Sequence, residues 1–390
     1  MQSELPEPEL AARQHSARLT ERIAARIRAQ GGWINFADYM QQVLYEPGLG
    51  YYSAGAAKFG EAGDFVTAPE ISPLFSRCIA QQIAPQLRAR PDSDILEPGA
   101  GTGTLAADVL SELASLNALP RRYRILETSA ALRARQADRV AGLPAELADR
   151  VEWLDDWPEP PLRGVVLANE VIDALPVRRF QLRDNRIHEW GVALDGLSLQ
   201  ETTRPADAAF AARVTERVGA SANYADGYTS ELAEQAPAWL ASLSDALEEG
   251  VVLLFDYGFS RREYYLPERS SGTLRCYYRH RVHEDPLFWP GLQDVTAWVD
   301  FSALAESAAA SGLDVAGYTT QAQFLLAGGV DRLVALTTAA SPAEQVAIAG
   351  GLRTLLLPGE MGDAIKVLVL RRGAVELPAG LDGRDMRSGL

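Results

Sequence analysis

A chain of 390 residues is long enough for two or three domain-sized units, or for one large domain with insertions. Apolar residues make up 47% and charged residues 23%, which supports a sizeable core and excludes a disordered or fibrous class for the bulk of the chain. The 37 basic and 52 acidic side chains leave a net charge of −15, which argues against general nucleic-acid binding and suits a basic partner. Two cysteines, Cys78 and Cys276, fall short of a disulfide framework or a four-thiolate zinc site and fit buried thiols in a reducing cytoplasm. No apolar run reaches the roughly 18 residues of a membrane span. The opening MQSELPEPEL carries acids and prolines where a signal peptide would be apolar and a transit peptide acid-poor.

Residues 11–30 place Leu19, Ile23 and Ile27 at helical spacing and run into Gly31-Gly32, which predicts a helix and its stop. Residues 33–75 are rich in glycine, aromatics and proline, and so long an irregular segment points to a functional loop. An amphipathic helix follows over 75–90. The texture then alternates. Strands are expected at 93–99, 123–128, 151–156, 164–171 and 250–258, with helices at 103–117, 129–142 and 301–312. Further strands at 314–320 and 364–371 flank a helix near 342–356. This alternation predicts an α/β fold with a Rossmann-like, mostly parallel sheet covered on both faces. The stretches 180–235 and 259–300 break the rhythm and read as insertions. The domain reading is an N-terminal helical and loop extension over 1–90 and a sheet domain over 91–390.

The strongest local signal is the run from Ile95 to Leu105, in which Glu97 precedes Gly99, Gly101 and Gly103 at the end of a buried strand. Alternating glycines permit a sharp turn and a close ligand approach, and the next helix offers its free N–H groups. The spacing G-x-G-x-G departs from the dinucleotide G-x-G-x-x-G, because Thr104 stands where a last small residue is wanted, and no phosphate-loop Lys follows. Glu97 would repel a pyrophosphate but favour a cationic ligand. The string resembles the first motif of class I S-adenosylmethionine-dependent methyltransferases. A nicotinamide oxidoreductase is correspondingly disfavoured. Glu127, 24 residues after Gly103, ends the next strand and can accept from both ribose hydroxyls. Asp155 and Asp156 end the third strand, on the edge expected to face adenine, and fit a solvated loop equally well.

The strand Gly164–Ala168 leads into Asn169, Glu170 and Asp173 before Pro176. By strand order this lies across the switch point of the sheet, where open α/β sheets bind substrates. In a helical turn Glu170 and Asp173 would share a face. Carboxylates there could pair with a guanidinium and accept its proton, or simply cap a helix. Asn169 stands beside both the cofactor and the acceptor. Asp64, Thr67 and Glu70, in the run Gly63–Glu70, could help to form an acceptor slot or could cap a turn. His280 and His283 have no evident partner to complete a metal site.

Several strings resemble the MidA family, which includes a mitochondrial arginine methyltransferase of complex I assembly. They include Tyr45-x-Pro47-x-x-Gly50-Tyr51-Tyr52, Gly63-Asp64-Phe65-x-Thr67-x-Pro69-Glu70 and Glu97-x-Gly99-x-Gly101-x-Gly103. Further strings are Asn169-Glu170-x-x-Asp173-Ala174-Leu175-Pro176, Asp256-Tyr257-Gly258 and Pro290-Gly291-x-x-Asp294-Val295-Thr296. The resemblance spans about residues 33–366. It implies a class I methyltransferase fold with an N-terminal helical extension, S-adenosylmethionine as cofactor, and transfer to an arginine of a protein client, with a complex I-type subunit as one candidate. Membrane insertion is not implied, and a bacterial cytoplasmic member is expected unless a transit peptide is missing from this chain. Tyr257 could wall the acceptor channel, and Tyr264, Tyr265, Arg269 and His280 could line a peptide groove. A small-molecule methyltransferase on the same fold and a non-catalytic assembly factor remain open readings. The acceptor protein, the number of methyl groups and the oligomeric state do not follow from the sequence.

Overall fold

The computed structural model describes residues 5–54, 66–219, 223–337 and 341–390. By its contacts the chain divides into two units, one of Met1–Phe65, Ile172–Ala236 and Phe259–Asp300, the other of Val66–Val171, Pro237–Gly258 and Phe301–Leu390. The N-terminal residues and most of both rhythm-breaking stretches thus build one unit. Residues 66–90, read above with the N-terminal extension, group with the sheet.

The sheet unit arranges its strands in the order Asp314–Thr320, Ile365–Arg372, Leu247–Phe259, Leu162–Asn169, Asp94–Pro98, Tyr123–Leu126 and Val151–Leu154. The five strands from Leu247–Phe259 to Val151–Leu154 pair in parallel. The two C-terminal strands pair antiparallel. Val165, Leu167, Val251, Leu253, Phe255, Val367 and Val369 are buried in one continuous core with helix Pro73–Ala89 and helix Thr104–Ser115. Central strands covered on both faces must be apolar nearly throughout, which is why they read as unbroken hydrophobic runs. From Asp94–Pro98 the chain winds outward through Tyr123–Leu126 to Val151–Leu154. It then returns to the other side of its starting strand as Leu162–Asn169. That reversal puts the glycine loop and Asn169-Glu170 at neighbouring carboxyl ends, the crevice where such sheets bind ligands.

The other unit is antiparallel. Trp33–Asn35, Arg186–Asp195, Arg178–Arg183 and Thr229–Leu232 pair in that order, with Ser198–Pro205 also on Arg186–Asp195. Asp184 and Asn185, both left-handed (φ 51° and 56°), make the two-residue hairpin turn between Arg178–Arg183 and Arg186–Asp195. Helix Leu10–Ala29 buries Leu19, Ile23 and Ile27 as its periodicity predicts. It closes where the Gly32 N–H donates to the Ile27 carbonyl at 2.8 Å. A three-stranded sheet of Arg281–His283, Arg275–Tyr278 and Asp294–Thr296 completes the unit.

Candidate active site

The strand Asp94–Pro98 is buried along its whole length and opens into Gly99, Gly101 and Gly103, at φ 67°, 54° and 80°. At Gly103 a β-carbon would also come within 3.3 Å of the Gln136 backbone. At Gly101 it would meet no protein atom within 4 Å, so this stretch of backbone lies bare to a close ligand approach. Helix Thr104–Ser115 starts directly after the loop and turns its first N–H groups towards it.

Gln136 fixes the loop, and the sequence reading missed it. Its Nε2 donates to the Gly101 carbonyl and to Glu127 Oε2, each at 3.0 Å, and its Oε1 accepts from Trp153 Nε1 at 3.0 Å. The signal was present, because Leu132, Gln136 and Val140 repeat every fourth residue along the buried face of helix Ala130–Ala141. A glutamine in that apolar stripe must be satisfied internally.

Glu97 is 3% exposed, and its Oε2 accepts from the Tyr123 hydroxyl at 2.7 Å. Burial pushes its pKa up to about 8, with the Tyr123 bond opposing and Glu127 adding to the rise. Glu127 is buried just past strand Tyr123–Leu126, and its Oε1 accepts from Ser129 N at 2.8 Å. Burial raises its pKa too. Asp155 and Asp156 do not join this buried group. Asp155 is exposed and paired with Arg133 at 2.9 Å, and Asp156 is exposed and accepts from Trp157 N at 2.8 Å.

Across the switch point, strand Leu162–Asn169 ends two residues earlier than expected, and Glu170 is left-handed at φ 53°. The Glu170 N–H donates to the Phe255 carbonyl at 2.8 Å, which pins the turn to the next strand. No helix follows before strand Arg178–Arg183, so the helical face expected for Glu170 and Asp173, and the capping alternative, are both corrected. Glu170 Oε1 accepts from Ala68 N at 3.1 Å and from Asn169 Nδ2 at 3.0 Å. Burial, with Asp256 and Glu70 nearby, pushes the Glu170 pKa up to about 8 against these two bonds. Glu70 lies in the short helix Ala68–Ile71, and its Oε1 accepts from the Thr102 hydroxyl at 2.9 Å. Asp256 is fully buried and accepts from Tyr257 N at 2.8 Å.

Of the sequence candidates, Glu70, Asn169 and Glu170 therefore come together above the glycine loop, joined by Asp256, which the sequence marked only within a motif. Asp173 belongs to the other unit, where its carbonyl accepts from Ala297 N at 3.0 Å. In that unit the Tyr52 hydroxyl donates to Asp294 Oδ1 at 2.9 Å. Burial raises the Tyr52 pKa, and Asp294, Tyr45 and Asp173 add to the rise. Asp64 lies outside the described residues. Tyr264 and Tyr265, at 1% and 5% exposure, pack against Phe180 and Tyr228 in a core and do not line a groove. The reason is the buried Glu231, which takes the Thr273 N–H at 2.9 Å and draws the Tyr264 hydroxyl inward.

Residues 78–319 match the family described as "Putative S-adenosyl-L-methionine-dependent methyltransferase". The chain belongs to this family. Similar proteins include the mitochondrial protein arginine methyltransferase NDUFAF7 homolog of Drosophila melanogaster, 30% identical over 97% of this chain and 90% of the relative. The human protein arginine methyltransferase NDUFAF7, mitochondrial, is 28% identical over 87% of this chain and 80% of its own length. Among solved structures, a COG1565 superfamily member from Burkholderia thailandensis, crystallised with S-adenosyl-homocysteine, is 40% identical. It superposes with a TM-score of 0.94 over 99% of this chain and all of the other.

As a member of the methyltransferase family, the protein uses S-adenosylmethionine, and its residues fit that cofactor. The sulfonium and ammonium are cations, and Glu97 is a carboxyl group buried at the foot of a bare glycine loop. Once ionised it would repel a pyrophosphate. Glu127 has its two oxygens held by Ser129 N and Gln136 Nε2. Among the described residues no helix is long and apolar enough to cross a membrane.

Proposed function

We propose that the protein transfers the methyl group of S-adenosylmethionine to an arginine of a protein client. Glu97 and the backbone of Gly99, Gly101 and Gly103 hold the methionine part of the cofactor. Glu127 accepts from the ribose hydroxyls. Asp155 and Asp156, just beyond the third parallel strand, face the adenine edge. Asn169 sits between cofactor and acceptor. When bound, the cofactor supplies an electrophilic methyl group on a sulfonium.

The observation that carries the reading is Glu170, fixed by Ala68 N and Asn169 at the end of a central strand, with Glu70 and Asp256 beside it. An acceptor guanidinium is protonated at any physiological pH. Beside it the Glu170 carboxyl is drawn to its ionised form, orients one nitrogen towards the methyl group, and takes the proton released as the new N–C bond forms. Asp173 and Asp64 are the remaining acidic candidates for binding the acceptor. The arginine specificity is supported by the names of the relatives, which are protein arginine methyltransferases. A respiratory complex I-type subunit is the first client to try. We place the protein in a bacterial cytoplasm, consistent with the free, buried Cys78 and Cys276.

Glu170→Gln tests the assignment. Calorimetry with S-adenosyl-homocysteine should give an affinity within about twofold of wild type, while methyl transfer into a soluble protein extract falls by roughly a hundredfold or more. Full transfer by the variant would remove Glu170 from the reaction.

A further inference from the structure

Among the described residues, two buried acceptor atoms beside Glu170 take no hydrogen bond: Asn169 Oδ1 and Glu70 Oε2. Their orientation is set by bonds on their other ends. Asn169 Nδ2 is committed to Glu170 Oε1, which leaves Oδ1 as the unsatisfied end of the amide. Glu70 Oε1 is committed to the Thr102 hydroxyl, itself in contact with Thr104 Oγ1 at 2.8 Å, which leaves Oε2 free. Among the described residues neither Glu70 nor Glu170 makes an ion pair, although Asp256 brings a third carboxyl group close to Glu170. A buried acceptor left unsatisfied is costly, so the two atoms, with the carboxyl groups beside them, define what a ligand must bring: positive charge and at least two N–H donors.

We infer that Asn169 and Glu70 are positioning residues that, with Glu170, form a three-pronged acceptor selecting a guanidinium over an ammonium or a hydroxyl; the inference rests on the arginine reading above. A guanidinium presents five N–H donors in one plane and can meet separated acceptors at once. An ammonium points its donors from a single centre, and a hydroxyl has one donor and no charge. Glu70 adds a second function, because its other oxygen is tied to the glycine loop through Thr102. Acceptor and cofactor sites thus share one carboxylate.

The test uses the full chain saturated with S-adenosyl-homocysteine and titrated with ethylguanidinium, ethylammonium and ethylurea, followed by NMR or calorimetry. Ethylguanidinium should bind at least about tenfold more tightly than the other two. Glu70→Gln and Asn169→Ala, each titrated at saturating S-adenosyl-homocysteine, should weaken it about fivefold or more, with the melting profile retained. Equal binding of ethylammonium, no binding of ethylguanidinium, or an unchanged affinity in both variants would overturn the inference. Deuterium-labelled methyl transfer separates this from failure of the underlying reading. If wild type labels something other than arginine, the arginine reading falls. If it labels arginine and Glu70→Gln keeps wild-type KM and kcat, only the role of Glu70 in the acceptor falls.

Discussion

Glu97 and Glu170 both hold their protons far above the ordinary glutamate value, to about pH 8, because burial penalises the charged form more than their hydrogen bonds favour it. The sign of two consequences follows. Between about pH 4.5 and 8 the folded protein keeps protons that the unfolded chain has released. Stability of the ligand-free protein should therefore fall as pH rises through that window, read as a declining melting temperature. Affinity for S-adenosylmethionine should move the other way. Binding of a cation favours ionised Glu97, so the affinity should rise with pH by up to about tenfold per unit and level off near pH 8. A flat calorimetric profile between pH 6 and 8 would show that Glu97 does not face the cofactor's charge. The sequence showed where Glu97 stands, because a buried strand followed by glycines fixes the position of the preceding acid, and it set Glu127 at the end of the next strand. It could not reveal that Glu170 turns left-handed, since that conformation comes from the bond to Phe255 on a strand 85 residues away in the chain.

Apart from the short helices Gln321–Ala327 and Val330–Leu336, the strands of the sheet unit and the helices beside them were legible nearly to their ends, because each writes its own period into the sequence. Links between elements were not. Gln136 connects helix Ala130–Ala141 to the glycine loop, to Glu127 and to Trp153 through three hydrogen bonds, and its place in the buried stripe does not say which partners it joins. Gln136→Ala would leave the Gly101 carbonyl and Glu127 without this donor. It should weaken cofactor binding by about 1–3 kcal/mol, roughly five- to a hundredfold, in a calorimetric titration, with the overall fold retained. An affinity equal to wild type would mean that the loop holds its shape without this brace.

Over the whole molecule, the part least visible in the sequence is the antiparallel unit. Its pairings are non-local, as between Trp33–Asn35 and Gly191–Ala193, and its interior holds charge. Glu189 and Glu231 are fully buried, Arg178 lies 3.7 Å over the Phe210 ring, and Arg179 lies 4.8 Å over Phe36. Hydrophobic patterning counts such residues as surface, although ion pairs and aromatic faces cover them. The sheet unit obeys the simpler rule, so its core should respond in the ordinary way. Leu253→Ala, at a fully buried position in the central strand Leu247–Phe259, should cost about 2–5 kcal/mol in denaturant unfolding.

The destination of a labelled methyl group tests the proposed methylation of protein arginine at this site. The purified protein would be incubated with S-adenosylmethionine carrying a deuterated methyl group and a soluble protein extract, and the digested products analysed by mass spectrometry. The label is expected on arginine side chains of one or a few proteins, and none above background with Glu170→Gln. Label on lysine, on a carboxyl group or only on a small molecule would contradict it.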